Sequence, residues 1–339
     1  MTERTPLHEV TAGASFVEDG GWLVPAQFGD PLREYERART GSILFDLSHH
    51  GKLEVAGPDA RSFLHNLSSN DIRNLAAGSV CEAFLTTATA KVVAYVRIAC
   101  LNSDTRRAVF LLDLAPGTFD RVHKHLDHYL ISEQVEFADR TRERALLHLA
   151  GPHGVNIVKA LPAASPVTIL RVDRLGVPGL DVLCAADQAP ALWGVLGEAG
   201  AGPAGRETFE VLRVEAGMPV QGIDVDESTF APEVGRTTQA ISYTKGCYLG
   251  QEPIVMARDR GHVNRQLLGL KVAGDPVPFG SLVFRDGKEV GRVTSSVRSP
   301  RLGTIALAYL RRGNQEPGTA VEVEVPGHRL AATVARPPF

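Results

Sequence analysis

Cysteine is scarce and scattered in this chain. Cys81, Cys100, Cys184 and Cys247 include no C-x-x-C pair, so there is neither a disulfide framework nor a self-contained zinc or iron–sulfur site to read. The pattern fits a reducing compartment, with no bound metal or intrinsic cluster expected. No apolar run approaches the ~18 residues of a membrane span. The first twenty residues carry Glu3, Glu9, Glu18 and Asp19 and no apolar h-region, so no secretory signal is visible and a cytoplasmic location is expected. The phosphate loop G-x-x-x-x-G-K-[ST] is missing. Aromatic residues are only 6% of the chain and interleave with no basic stripe, so DNA and other nucleic acids are not expected partners. The net charge of −3 conceals an uneven distribution, because thirteen Lys and Arg face seven Asp and Glu from Arg258 onward. A mildly basic C-terminal part suits an anionic ligand or an acidic partner.

The 339 residues, 44% hydrophobic and 22% charged, have ordinary globular composition and length for about two domains. The densest local signal is Lys245 to Glu252, K-G-C-Y-L-G-Q-E. Gly246 and Gly250 predict a sharp turn that presents the Cys247 sulfur, since glycine reaches φ > 0 without penalty. Lys245 lies two residues before that sulfur, where a cation favours thiolate. Tyr248, Gln251 and Glu252 complete the motif. The competing reading is a glycine-rich corner whose cysteine fills a small apolar space.

Residues 1–20 are expected to be loose. Pro31 to Thr40 is a short helix with proline near its start. His49 and His50 fall on a turn; neighbours in extended chain point to different faces, so they read as polar loop residues rather than metal ligands. The stretch V-A-G-P-D-A-R-S-F-L-H-N-L at 55–67 is echoed by L-A-G-P-H-G-V-N-I-V-K-A-L at 149–161. Each is an apolar strand end, a Gly-Pro corner and a helical spacing of apolar residues, which predicts two related α/β subdomains. From Leu267 the texture changes to six short strands with turn signals at Asp286-Gly287 and Pro326-Gly327, the pattern of a small barrel or sandwich. The domain reading is therefore 1–20 loose, 21–257 α/β, and 258–339 all-β.

Taken together, F-D-L-S-H-H-G-K-L-E-V-A-G-P-D-A at 45–60, L-R-V-E-A-G-M-P at 212–219 and the C-terminal strands resemble the folate-binding superfamily of the glycine-cleavage T-protein. The octapeptide at 245–252 resembles its YgfZ-like branch, folate-binding proteins linked to maturation of Fe–S proteins. The resemblance covers Gly21 to Val334. It implies an α+β fold, with two intertwined ferredoxin-like α/β subdomains and a C-terminal six-stranded barrel around a central cavity that holds tetrahydrofolate. The Asp that aminomethyltransferases place in the strand at Val92–Val96 is replaced here by Ala94 or Tyr95. Their G-Y-T-G-E-D-G stretch is shortened to Leu175–Gly179, and an expected Arg is Phe209. Two functions follow. The first is a tetrahydrofolate-binding helper of Fe–S clients acting through Cys247. The second is a one-carbon transferase, for which Glu215, Glu252 or Asp224 is the substitute base. The folate tail is expected at Arg258, Arg260 or Arg265, with Glu215 also facing the cofactor.

Overall fold

A computed structural model describes residues 2–163 and 166–339. Its N-terminus corrects the first expectation. β1 (Glu3–Arg4), β2 (Ser15–Asp19) and β3 (Trp22–Gln27) form one sheet in the order β1-β3-β2. Leu7 is fully buried, and Thr5 donates to Asp46 Oδ2 at 2.5 Å. Glu18 and Asp19 end the first strand of a hairpin closed by Gly20 and Gly21, both at positive φ, as a two-residue hairpin turn requires.

α1 (Pro31–Thr40) starts with Asp30 accepting the Leu32 N–H and Pro31 in the first turn, where a missing N–H costs nothing. Then β4 (Ile43–Asp46) and β5 (Gly51–Gly57) enter different sheets. One sheet runs β6-β7-β8-β5-β9, built from β6 (Val80–Thr86), β7 (Val92–Asn102), β8 (Ala108–Leu114) and β9 (Glu136–Asp139). The other runs β11-β12-β10-β4-β13, from β10 (Arg144–Ala150), β11 (Thr168–Arg171), β12 (Gly179–Ala185) and β13 (Gly202–Pro203). This exchange of strands is what intertwines the two halves.

α2 (Ala60–Leu67) and α3 (Phe119–His128) bury Phe63, Leu64, Val122 and Leu126 against the first sheet. α4 (Gly154–Ile157) and α5 (Ala189–Glu198) cover the second with Ile157, Leu192 and Leu196. The repeated Gly-Pro corners occupy equivalent places after β5 and β10. Gly57 and Gly151 have φ of 142° and 125°, and a Cβ there would lie 2.1 Å from Gln134 O and 2.5 Å from Gly41 O. Only glycine fits. The prolines stand just before the caps Asp59 and His153 rather than in the first helical turn.

α6 (Arg206–Ala216) joins the halves to the barrel, with Phe209 and Leu212 in one core and Val214 packed with Ile305 and Leu307. α7 (Thr237–Ala240) and α8 (Gln251–Asp259) follow. β14 (Arg265–Val272), β15 (Leu282–Arg285), β16 (Lys288–Ser299), β17 (Gly303–Arg311), β18 (Ala320–Val325) and β19 (His328–Ala335) close a barrel in the order β14-β17-β16-β15-β18-β19. Among the described residues no helix is long and apolar enough to cross a membrane.

Candidate functional site

The two α/β halves enclose a central cavity of two chambers that meet at Arg97 and Met218. The first, about 270 Å³, is walled by β2, β3, β4, α6 and residues 218–223. The second, about 600 Å³, lies between the edge strands β6 and β11 and reaches the barrel at Leu267, Leu307 and Pro337. Alternation along β7 decides which residues face it. Ala94 packs in the core behind the sheet, whereas Tyr95 and Arg97 line the cavity. Tyr95 is therefore the residue that stands where the resemblance expects an aspartate.

A carboxylate still lies beside that position, supplied from the neighbouring strand. Tyr95 Oη donates to Glu82 Oε2 at 2.5 Å, and Arg236 donates to the same carboxylate at 2.6 and 2.7 Å. Burial works against the Glu82 charge, but Arg97 and Arg236 outweigh it and hold its pKa below the usual range. Burial, then the Glu82 charge, pushes the Tyr95 phenol up. The pair is a neutral phenol against an ionised carboxylate. Gln221 adds a donor. Its Oε1 accepts the Tyr95 N–H at 3.0 Å, which leaves its buried Nε2 amide without a protein partner in the wall of the first chamber. A buried donor without an acceptor is costly unless a ligand supplies one.

The remaining first-chamber charges are matched internally. Asp19 takes His49 Nε2 at 3.3 Å and Arg206 Nε at 2.9 Å. His50 Nδ1 lies 2.7 Å from Asp113 Oδ1; Arg174 lies 2.7 Å from Asp113 Oδ2 and donates from Nε to Asp181 at 3.0 Å. His148 Nδ1 meets Asp181 Oδ1 at 2.8 Å. Burial lowers the His50 pKa to about 4 despite the attraction of Asp113. His50 is thus neutral at pH 7, with Nδ1–H donating to Asp113. The unfolded chain binds a proton on this residue below about pH 6.5 and the folded chain only below about 4. Stability should therefore fall as pH drops through that window, by on the order of 3 kcal/mol. His50→Asn keeps a donor near Nδ1 without titrating, and should flatten the slope of melting temperature against pH between 6.5 and 4. An unchanged slope would exclude His50 as its source.

The motif loop adjoins the cavity wall. Lys245 does not serve Cys247 as expected: its buried Nζ donates to the carbonyls of His65, Ser68 and Asn70, the last two at 2.7 and 2.8 Å. It caps the C-terminal end of α2, where a cation is favoured. Burial lowers its pKa to about 7. Gly250, at φ 80°, begins α8, and a Cβ there would lie 2.5 Å from Thr86 Oγ1 and 2.6 Å from Thr87 O. Gly246 has neither positive φ nor a close neighbour, so only one of the two glycines is demanded by the backbone. Tyr248 is buried with Tyr95 and Met218. Cys247 is exposed. Gln251 and Glu252 form the first turn of α8, with Glu252 exposed.

The expected cofactor residues are not gathered around the cavity. Glu215 is buried in a structural cluster, accepting from Tyr35 at 2.8 Å, Ser299 and Arg39. Asp224 holds Arg213 at 2.9 Å and Thr294 at 2.6 Å. Arg258 pairs with Asp259, and Arg265 with Glu233 at 2.9 Å while lying over the Tyr309 ring. Arg260 lines a separate groove beside Met256 and Val263. Sequence reading missed Arg97, Gln221, Glu82 and the paired histidines. One signal was available: Tyr95 and Arg97 interrupt an apolar strand on one face.

Residues 7–166 match the model of the GCVT N-terminal domain, and 265–339 that of the glycine cleavage T-protein C-terminal barrel domain. The aminomethyltransferase of Nostoc sp. is 30% identical over 99% of this chain and 95% of its own length. That of Rubrobacter xylanophilus is 31% identical over 91% and 87%. The crystal structure of the glycine cleavage system aminomethyltransferase T from Bartonella henselae superposes with a TM-score of 0.90 at 25% identity, covering 100% of this chain and 98% of that one.

Proposed function

The chain belongs to the glycine cleavage T-protein family, and from that premise we propose that it binds tetrahydrofolate in the central cavity and serves one-carbon transfer on it. Bound there, the folate would supply the nitrogens that carry the one-carbon unit. The observation that carries the reading is the unpartnered Gln221 amide beside the Tyr95–Glu82 pair. Donors and acceptors converging in a partly apolar cleft suit the polar edges and flat faces of a pterin. Phe45, Phe209 and Val24 supply apolar wall. Tyr95 holds a proton at Oη against an ionised Glu82, which makes this pair the proton-handling unit in place of a direct aspartate.

Calorimetric titration with tetrahydrofolate and folinic acid tests the assignment. Gln221→Glu retains the acceptor for the Tyr95 N–H and removes the free donor. It should weaken binding by about tenfold, the value of one hydrogen bond to a buried partner. Absence of binding to the unmodified protein would sink the reading.

A second function is supported by a specific observation, the exposure of Cys247 on a loop fixed on both sides by Lys245, Tyr248 and Gly250. In this reading the folate-bound protein, akin to the YgfZ-like branch, assists Fe–S clients through that thiol. Turnover separates the two. Sustained methylenetetrahydrofolate formation from an aminomethyl-bearing carrier carries the transferase, and tight binding without turnover carries the helper.

A further inference from the structure

The first chamber holds a histidine whose chemistry the Tyr95–Glu82 pair does not use. His49 lines it together with Tyr95 and Gln221 and is 3% exposed. Its Nε2 lies 3.3 Å from Asp19 Oδ2, and its occluded Nδ1 has no protein partner. Burial works against the Asp19 charge, but the His49 hydrogen bond and the Arg206 guanidinium outweigh it and hold the carboxyl far below its usual range. An ionised carboxylate only accepts, so Nε2 carries the proton and, in the neutral ring, Nδ1 keeps a bare lone pair. A carboxylate behind an imidazole fixes the tautomer and stabilises the imidazolium once a proton arrives.

The ring is held on both sides. Lys52 is fully buried, and its Nζ donates to the carbonyls of Ser48 and His50 at 2.8 and 2.9 Å, one on each flank of His49. The Ser48 N–H donates to Asp46 Oδ1 at 2.9 Å, and the His50 N–H to Leu47 O at 3.0 Å. His50 is itself committed to Asp113, and its ring meets that of His49 edge to face, with centroids 5.0 Å apart. One chamber thus pairs a phenol that holds its proton with an imidazole nitrogen that lacks one. An acid and a base in one site can give and take protons within a single reaction.

We infer that His49 Nδ1 is the proton acceptor in the one-carbon transfer, with Asp19 behind it as a positioning residue. This rests on the transferase reading given above. The proton of a tetrahydrofolate N–H passes to Nδ1 as the lone pair of that nitrogen bonds to the carbon of a carrier-borne, protonated aminomethyl group. The carbon–nitrogen bond of that group breaks with its electron pair, releasing ammonia. The imidazolium gives its proton to the ammonia, which departs as ammonium and leaves His49 neutral again.

Nitrogen-15 NMR of histidine-labelled protein, without ligand and in mildly alkaline buffer, should show His49 protonated at Nε2 and bare at Nδ1, the signal being assigned by its loss in His49→Gln. Asp19→Asn, whose amide can donate to Nε2, should move the proton to Nδ1. His49→Gln keeps a donor for Asp19 and removes the base. It should lower kcat for methylenetetrahydrofolate formation about 100-fold or more, while tetrahydrofolate affinity measured by calorimetry stays within about threefold of the parent. His49→Ala should be as slow and should regain turnover with added imidazole, which loss of a merely structural residue does not allow. A parent that turns over beside a His49→Gln variant within about threefold of its kcat would overturn the assignment and leave the transferase reading standing. So would a protonated Nδ1 in the parent, or a loss of tetrahydrofolate affinity in His49→Gln as large as its loss of kcat. A parent without turnover would bring down the transferase reading, and the assignment with it.

Discussion

Replacing Arg174 with leucine should destabilise the protein by about 3–5 kcal/mol, the cost of leaving buried charges without their partner. Arg174 is 2% exposed and bridges the two halves, with Asp113 on β8 of one sheet and Asp181 on β12 of the other. The Arg174 guanidinium holds Asp113 well below the usual carboxylate range and lowers Asp181 to about 2, against the opposing effect of burial. Without the guanidinium, both acids must either remain charged in a poor solvent or take up protons. The loss should therefore be larger at pH 7 than at pH 4, where protonation offers an escape. Adding Asp113→Asn and Asp181→Asn to the leucine variant should recover much of the loss, since no charge then lacks a partner. Denaturant titration of the single and triple variants provides the measurement. A single variant within 1 kcal/mol of the parent would show that the network is not what holds the halves together.

The second large effect concerns thiol reactivity. Alkylation of the folded protein should modify Cys247 at least about 100-fold faster than any other cysteine, because reaction requires both access and thiolate. Cys100 and Cys184 are fully buried, and burial pushes the Cys184 thiol up to about 11. Cys81 lines the second chamber and is half-buried, yet burial pushes it up to about 12 in spite of nearby Lys245. Its thiolate is scarce at neutral pH. Mass spectrometry after a timed iodoacetamide pulse resolves the four sites. Cys247→Ser should change stability by less than about 0.5 kcal/mol, as exposed substitutions do, while removing any function carried by the thiol. If Cys247 reacts only after denaturant is added, the motif is a packing corner and the helper function loses its support.

Much of the architecture was legible because it rests on local rules. The Gly-Pro corners marked two equivalent strand-to-helix turns, and both glycines stand at positive φ against backbone. Closely spaced strands after residue 265 form the closed barrel. The site was less legible. Lys245 and Cys247 are two residues apart, which suggested an activated thiol, but Lys245 Nζ turns inward to carbonyls at the end of α2. Sequence distance does not set side-chain direction. Glu215 and Asp224 looked like spare acids; each instead meets partners more than sixty residues away, Ser299 and Thr294 among them. His49 and His50 read as loop residues because their neighbours in space, Asp19 and Asp113, come from β2 and β8. Charge partnerships of that range leave no mark on a local pattern.

The exchange of strands between the sheets also determines where the halves are joined. Among the described residues the chain crosses from one sheet to the other twice, through Leu47–His50 and through Arg140–Glu143. These short connectors join β4 to β5 and β9 to β10, and they fix where the two halves are tied covalently. His49 and His50 sit in the first of these connectors. β6 and β11 are the outermost strands of their sheets, farthest from the crossings, and they flank the second chamber. With neighbouring strands ~4.8 Å apart, a few strands separate the crossings from the rim. A group in the second chamber therefore lies against the strands farthest from both crossings.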